Sequence, residues 1–258
     1  MTEVKAKEIT TLVNDSLDEA EGVWGKVGTK LLNRALAKSA QFANEAVQAS
    51  TPTTFPGYEF IEEGKPLVDE FIALVLDMRD SSKHLNCACA QAKVEMLQRV
   101  FYETAAILPA CSKVISDEKG GVTEYLGDGL LAFFRVNESD KAEACYTAHR
   151  AASGCMKAIS EIINPILDVR YDLPKIEIGI GMSVSKAVLT VTGQANFVKP
   201  VAFGQCLYHA TKLSKGRGEI IVDEALNLIW PKSDDGTLLF SFRMMKDNIK
   251  GYVIQKTK

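Results

Sequence analysis

Asp128 stands between Gly127 and Gly129 in the stretch VTEYLGDGLLAFF (residues 122–134), where a β-branched and aromatic run enters the turn and a second apolar run leaves it. That is the pattern of a β-hairpin with an acid at its tip. Asp77 closes the apolar run FIALVLD, which reads as a strand buried on both faces. Taken singly, each acid is an ordinary turn residue or strand terminator. Side by side they would repel one another unless a cation lay between them. Hard oxygen ligands of this kind suit Mg²⁺ or Mn²⁺, with substrate phosphate completing the shell.

The surrounding elements decide whether the two acids meet. FIALVLDM (71–78) is a strand, and residues 85–116 carry Val94, Leu97, Phe101, Leu108, Cys111 and Ile115 at helical spacing. After the hairpin, residues 140–164 read as a second helix through Ala144, Ala148, Ala151, Cys155, Ile159 and Ile162, followed by a strand pair, KIEIGIGM and KAVLTV. A short helix near 205–215, the strand EIIV (219–222), a helix from Asp223 and a final strand pair ending at Ile254 complete the chain. The order β-α-β-β-α-β predicts an α+β fold, a ferredoxin-like split βαβ sheet with C-terminal additions. In such a sheet the first strand lies antiparallel to the third, which brings the end of FIALVLD to the start of LLAFF.

Ahead of this unit, residues 3–49 read as helix, with Val27, Leu31, Leu32, Ala35, Phe42 and Ala46 in one register. TPTTFPG (51–57) breaks the pattern and predicts a linker, dividing the chain into an N-terminal helical segment and linker (1–57) and a main domain (58–258). A hydrophobic content of 47% supplies a core, and a formal net charge of −3 offers no global field for nucleic acid or an anionic membrane. The six cysteines form no CxxC pair and only three histidines are present, so the thiols read as reduced and mostly buried. No apolar h-region opens the chain and no run approaches a membrane span, which predicts a cytoplasmic protein. Gly179-Ile180-Gly181 lies inside a strand, without the strand-turn-helix context of a dinucleotide loop. No Ser/His/Asp or Cys/His nucleophile pattern is present.

Four blocks in order resemble the catalytic domain of class III nucleotidyl cyclases, over roughly residues 68–255: LVLDMRDSS, EYLGDGLLAFF, IEIGIGMSVSKAVLTVTG and AFGQCLYHATKLSKGRGEIIV. The resemblance implies that Asp77 and Asp128 hold two Mg²⁺ or Mn²⁺ ions for in-line phosphoryl transfer, with the Met78 carbonyl as a further ligand. It also implies that amides across Arg79, Asp80, Ser81 and Ser82 cradle the triphosphate, with the unusual acid Asp80 pointing away. Tyr208 matches the place of an Asn that orients the ribose, and Lys212 that of an Arg that stabilises developing charge. Lys keeps the charge without the planar fork. Lys246 or Lys250 corresponds to a late phosphate lysine, and Glu124 and Val201 match the two base-reading positions.

Glu124 accepts from an N–H group of a base, which disfavours adenine and leaves guanine, uracil and cytosine. With Val201 unable to pair and Tyr208 replacing Asn, the pattern is similar to the bacterial pyrimidine cyclases of the Pycsar anti-phage systems. These make cyclic UMP or cyclic CMP for a separate effector protein. The implied protein is a homodimer whose sites combine metal acids of one subunit with helix residues of the other. Two other readings stay open: a guanylate cyclase using GTP, and a non-catalytic nucleotide-binding or dimerisation module.

Overall fold

The computed structural model describes residues 1–31, 50–194, 197–232 and 236–256. The chain runs through helix α1 (Glu3–Leu31), a ribbon of β1 (Ser50–Pro52) and β2 (Phe60–Glu62), then β3 (Leu67–Met78), α2 (Ser81–Asn86) and α3 (Met96–Asp117). The hairpin β4 (Gly121–Tyr125) and β5 (Gly129–Arg135) follows, and α4 (Lys141–Ala158) continues through a π-helical turn into α5 (Asn164–Tyr171). Next come β6 (Ile178–Gln194), β7 (Phe197–Gly204), α6 (Gln205–Leu213) and β8 (Ile220–Asp223). The chain closes with α7 (Glu224–Ile229), β9 (Leu238–Met244) and β10 (Lys250–Lys256).

An eight-stranded sheet carries the fold, in the order β4-β5-β3-β6-β8-β10-β9, with β7 paired to β6 off this path. Its portion β4-β5-β3-β6 has the ferredoxin-like order, antiparallel throughout, with α3 and α4 in the two crossovers. The α+β expectation therefore stands. β3 is central, and Phe71 to Leu76 are all buried because both faces are covered. Ile72, Leu74, Leu76 and Met78 join the core beneath α3 and α4, whereas Phe71, Ala73 and Val75 pack with Phe55, Phe133, Cys206 and Ala210 on the face that α6 covers.

Two expectations give way. KIEIGIGM and KAVLTV are not a strand pair but parts of one strand, β6, which pairs with β3 continuously from Met78↔Ile178 to Leu67↔Leu189. The intervening SVS (183–185) holds no Gly, Pro or Asn that would reverse the chain, and its residues alternate between the two faces. The helix expected over 85–116 is also broken: α2 stops at Asn86, where the side-chain amide donates to the Ser82 carbonyl (2.7 Å), and α3 starts at Met96. Residues 87–93 are small or polar and supply no apolar stripe, so helix propensity alone does not hold them.

α1 packs along α3 through Ile9, Val13, Leu17 and Ala20, a stripe with helical spacing that enters the main core. Arg170 at the end of α5 ties it further, donating to Asp18 and Glu21, and Tyr171 donates to Glu21 (2.6 Å). The register drawn through Val27, Leu31, Leu32, Ala35, Phe42 and Ala46 concerns side chains outside the described residues. The stretch TPTTFPG lies across the sheet, with Phe55 buried against Phe133 at a ring separation of 5.1 Å. Among the described residues no helix is long and apolar enough to cross a membrane.

Candidate active site

Asp77 follows Val75 on the face of β3 that α6 covers, and its register partner on β5 is Gly129, the residue after Asp128. Gly127 has a φ of 84°, and a Cβ on Gly129 would stand 2.2 Å from the Leu76 carbonyl oxygen. The two glycines thus let the hairpin tip, with Asp128 at its end, close against the end of β3. The Arg79 amide donates to the Glu177 carbonyl (2.8 Å), extending the β3–β6 ladder by one step. Alternation along that ladder turns the Met78 carbonyl the other way, to the side of Asp128.

Two cations sit on Asp77 and a third lies beside them. The Arg79 guanidinium folds back onto the Asp77 carboxylate, and Lys215, two residues beyond the end of α6, donates to the same oxygen at 2.7 Å. Burial, reinforced by the charge of Arg217, holds Arg79 below its usual pKa, with Asp128 and Asp80 opposing. Lys215 is held below its usual value by burial and then by Arg79, with Asp128 opposing. Arg217 binds Asp80 (2.6 Å) and Glu177.

Asp80 sits in the left-handed region, with a φ of 61°, and caps α2. Its carboxylate turns to Lys83 (2.9 Å) and Arg217, which lower its pKa to about 2. Ser81 and Ser82 open α2, where first-turn amides have no acceptor within the helix. Two carboxylates and a carbonyl form a donor set of hard oxygens that fits Mg²⁺ or Mn²⁺. No third acid, His or Cys gathers with them among the described residues, so phosphate oxygens and water would complete a shell.

Tyr208 and Lys212 share a face of α6, with the Lys212 ammonium 5.3 Å from the Tyr208 ring centroid. They meet Asp247 in the β9–β10 turn, at 2.7 Å from Lys212 and 3.4 Å from the Tyr208 hydroxyl. Asp247 raises the pKa of Lys212, and Lys212 lowers that of Asp247. Lys246 is the exposed neighbour of Asp247, whereas Lys250 is committed to Glu224 (2.7 Å). Glu124 on β4 is exposed and paired with Lys199 of β7 (3.1 Å). Val201 lies two residues along β7 from Lys199 and so shares its face. The arrangement therefore forms three groups: Asp77, Asp128, Met78 and Arg79 beside Ser81 and Ser82; Tyr208, Lys212 and Lys246; and Glu124 with Val201.

Sequence reasoning did not assign Lys215 or Arg217 to the site, although the basic run KLSKGRG was visible. What brings them in is the close seating of α6 on β6. A Cβ on Gly179 would lie 2.2 Å from the carbonyl oxygens of Ser214 and Gly216, and one on Gly181 would lie 2.1 Å from that of Ala210.

The architecture has counterparts among solved structures. It is similar to the adenylyl cyclase CyaB from P. aeruginosa, with a TM-score of 0.61 and 13% identity over 75% of this chain and 97% of that one. The fold is that of a cyclase catalytic domain. The guanylate cyclase domain of RhGC from Catenaria anguillulae, in complex with GTP, gives a TM-score of 0.57 at 12% identity, covering 76% of this chain and all (100%) of that one. A dimeric guanylyl cyclase domain of the RhoGC fusion protein from the aquatic fungus Blastocladiella emersonii gives 0.55 at 12% identity, over 75% and 98%. No protein-family model and no curated protein matches the sequence. Within the cyclase fold, the hairpin β4–β5 and the end of β3 are the elements that carry Asp128 and Asp77.

Proposed function

We propose that this chain is a nucleotide cyclase that converts a pyrimidine nucleoside triphosphate, UTP or CTP, to the 3′,5′-cyclic monophosphate and pyrophosphate. The observation that carries the reading is the pairing of Asp77 with Gly129, the residue after Asp128, across β3 and β5 of a cyclase fold, with Arg79 and Lys215 on the Asp77 carboxylate. In the reaction the ribose 3′-oxygen bonds to the α-phosphorus, the bond to the bridging oxygen breaks, and pyrophosphate leaves. Asp77, Asp128 and the Met78 carbonyl would hold two Mg²⁺ or Mn²⁺ ions, which supply Lewis-acid activation of the hydroxyl and neutralise phosphate charge.

The chain's own groups do the rest. Ser81 and Ser82 offer amides to phosphate oxygens, and Arg79 and Lys215 supply positive charge beside the leaving group. In a homodimer, Tyr208 and Lys212 of the second subunit complete each site, and Lys246 adds a cation near them. Glu124 accepts from the base, and apolar Val201 leaves the other side unread, the basis for preferring a pyrimidine. We place the domain at residues 58–258, behind an N-terminal segment of residues 1–57. The cyclic product would serve in the cytoplasm as an anti-phage signal read by a separate effector.

The test is incubation with an equimolar mixture of ATP, GTP, CTP and UTP plus Mn²⁺, read by mass spectrometry, with Asp77→Ala as control. A cyclic pyrimidine nucleotide that vanishes in the control is expected. Cyclic GMP would replace the pyrimidine reading with a guanylate cyclase. A second reading, a non-catalytic module, is favoured by the engagement of Lys212 with Asp247, and a folded dimer that forms no cyclic product would establish it.

A further inference from the structure

α2 follows the carboxylate-bearing end of β3, yet none of its residues is buried. Six residues cannot sustain a helix on propensity alone, so something outside α2 must hold it. Lys83 bonds back to Asp80 and Asn86 back to Ser82, both within the same turn of chain. His84 is the exception. Its Nδ1 lies 2.8 Å from Oε2 of Glu103 on α3, and among the described residues this is the one hydrogen bond from an α2 side chain to another element.

Glu103 is fully buried, and its other oxygen accepts from Nε of Arg99 at 2.8 Å. Both oxygens of this buried carboxyl group are therefore engaged, one by Arg99 and one by the His84 ring. The pair joins an otherwise surface-held turn to the interior of the domain.

We infer that His84 is a positioning residue that pins α2 to α3 through Glu103 and thereby sets Ser81 and Ser82 against Asp77 for the triphosphate; this rests on the cyclase reading above. The carboxylate end of β3 is fixed by the sheet on both sides, whereas α2 is held at its N-cap by the Asp80–Arg217 pair and along its body by this contact. Loss of the contact therefore leaves the amides held from the Asp80 side alone, without moving the acids.

The experiment compares the full-length protein with His84→Ala and His84→Asn by hydrogen exchange and by steady-state kinetics on the accepted nucleotide. Asn places an amide nitrogen where Nδ1 stands. In H84A, exchange across residues 81–86 should quicken about tenfold, as expected for losing one hydrogen bond to a charged group, and by more than in α3, where Glu103 loses the same partner. KM should rise about tenfold with kcat changed less than about threefold, and H84N should restore both. Unchanged exchange in α2, or faster exchange with an unchanged KM, overturns the inference. If H84A fails to fold, His84→Gln keeps the bulk, moves the donor outward and carries the same comparison. If the wild type makes no cyclic nucleotide, the cyclase reading fails, and the exchange arm still decides whether His84 is the anchor.

Discussion

Lys215 stands where a divalent cation would compete with it. Its ammonium is 2.7 Å from the Asp77 carboxylate, a contact whose gross attraction amounts to several kcal/mol at an effective dielectric of about 20. The Lys215 side chain is 58% exposed, however, and exposed pairs contribute only about 1 kcal/mol net once solvent screening and side-chain entropy are counted. Lys215→Met should therefore tighten Mn²⁺ on the nucleotide-free protein by about 1 kcal/mol, close to fivefold in Kd. The gain stays small because the Arg79 guanidinium remains on the same carboxylate. Titration of Mn²⁺ followed by electron paramagnetic resonance of the free ion, at low ionic strength, reads this directly, and Asp77→Ala supplies the non-binding control. The same variant should move the nucleotide the other way, raising KM about tenfold, since a cation facing phosphate is lost. Opposite signs for metal and nucleotide are the signature of a lysine that leaves Asp77 for the triphosphate. A Mn²⁺ Kd that is unchanged or weaker in K215M would refute the reasoning.

Three further outcomes follow. Gly181→Val would drive a Cβ to 2.1 Å from the Ala210 carbonyl oxygen, so α6 must lift from β6; a loss of about 3 kcal/mol is expected, seen as a fall of roughly 6–12 °C in Tm. Gly22→Ala is the contrast, because nothing lies within 4 Å of the added carbon on α1, and it should leave Tm unchanged or slightly raised. Asp80 has its carboxyl lowered from 3.8 to about 2 by Lys83 and Arg217, so its pairing adds stability above pH 4 that is lost as pH falls toward 2. Asp80→Asn should accordingly be less stable than wild type at pH 7, with the gap in urea midpoint closing between pH 4 and pH 2.

Legibility from sequence followed the range of the interactions. Strand β3, the hairpin β4–β5 and the meeting of the end of β3 with the start of β5 were readable because apolar runs, an Asp-Gly turn and the β-α-β-β-α-β order are local patterns that together fix one pairing. The helix break at residues 87–95 was not readable, since it depends on which stretch finds an apolar surface to bury and not on propensity. Asp247, the partner of Tyr208 and Lys212, sits in a turn with a φ of 62° that no residue pattern announced. Lys215 was hidden for another reason. Gly179-Ile180-Gly181 lacks the context of a dinucleotide loop, and its physical work is to remove two side chains so that backbone can lie on backbone. That absence of Cβ atoms lowers the end of α6 onto the sheet and brings Lys215 to Asp77, 138 residues away in the chain. The charge balance of the candidate site is therefore controlled by two glycines that touch no charge. K215M changes the cation and leaves α6 in place, whereas G181V leaves the cation and lifts α6. If both variants raise KM and tighten Mn²⁺ while G181V alone lowers Tm, the glycines act on the site through the placing of Lys215.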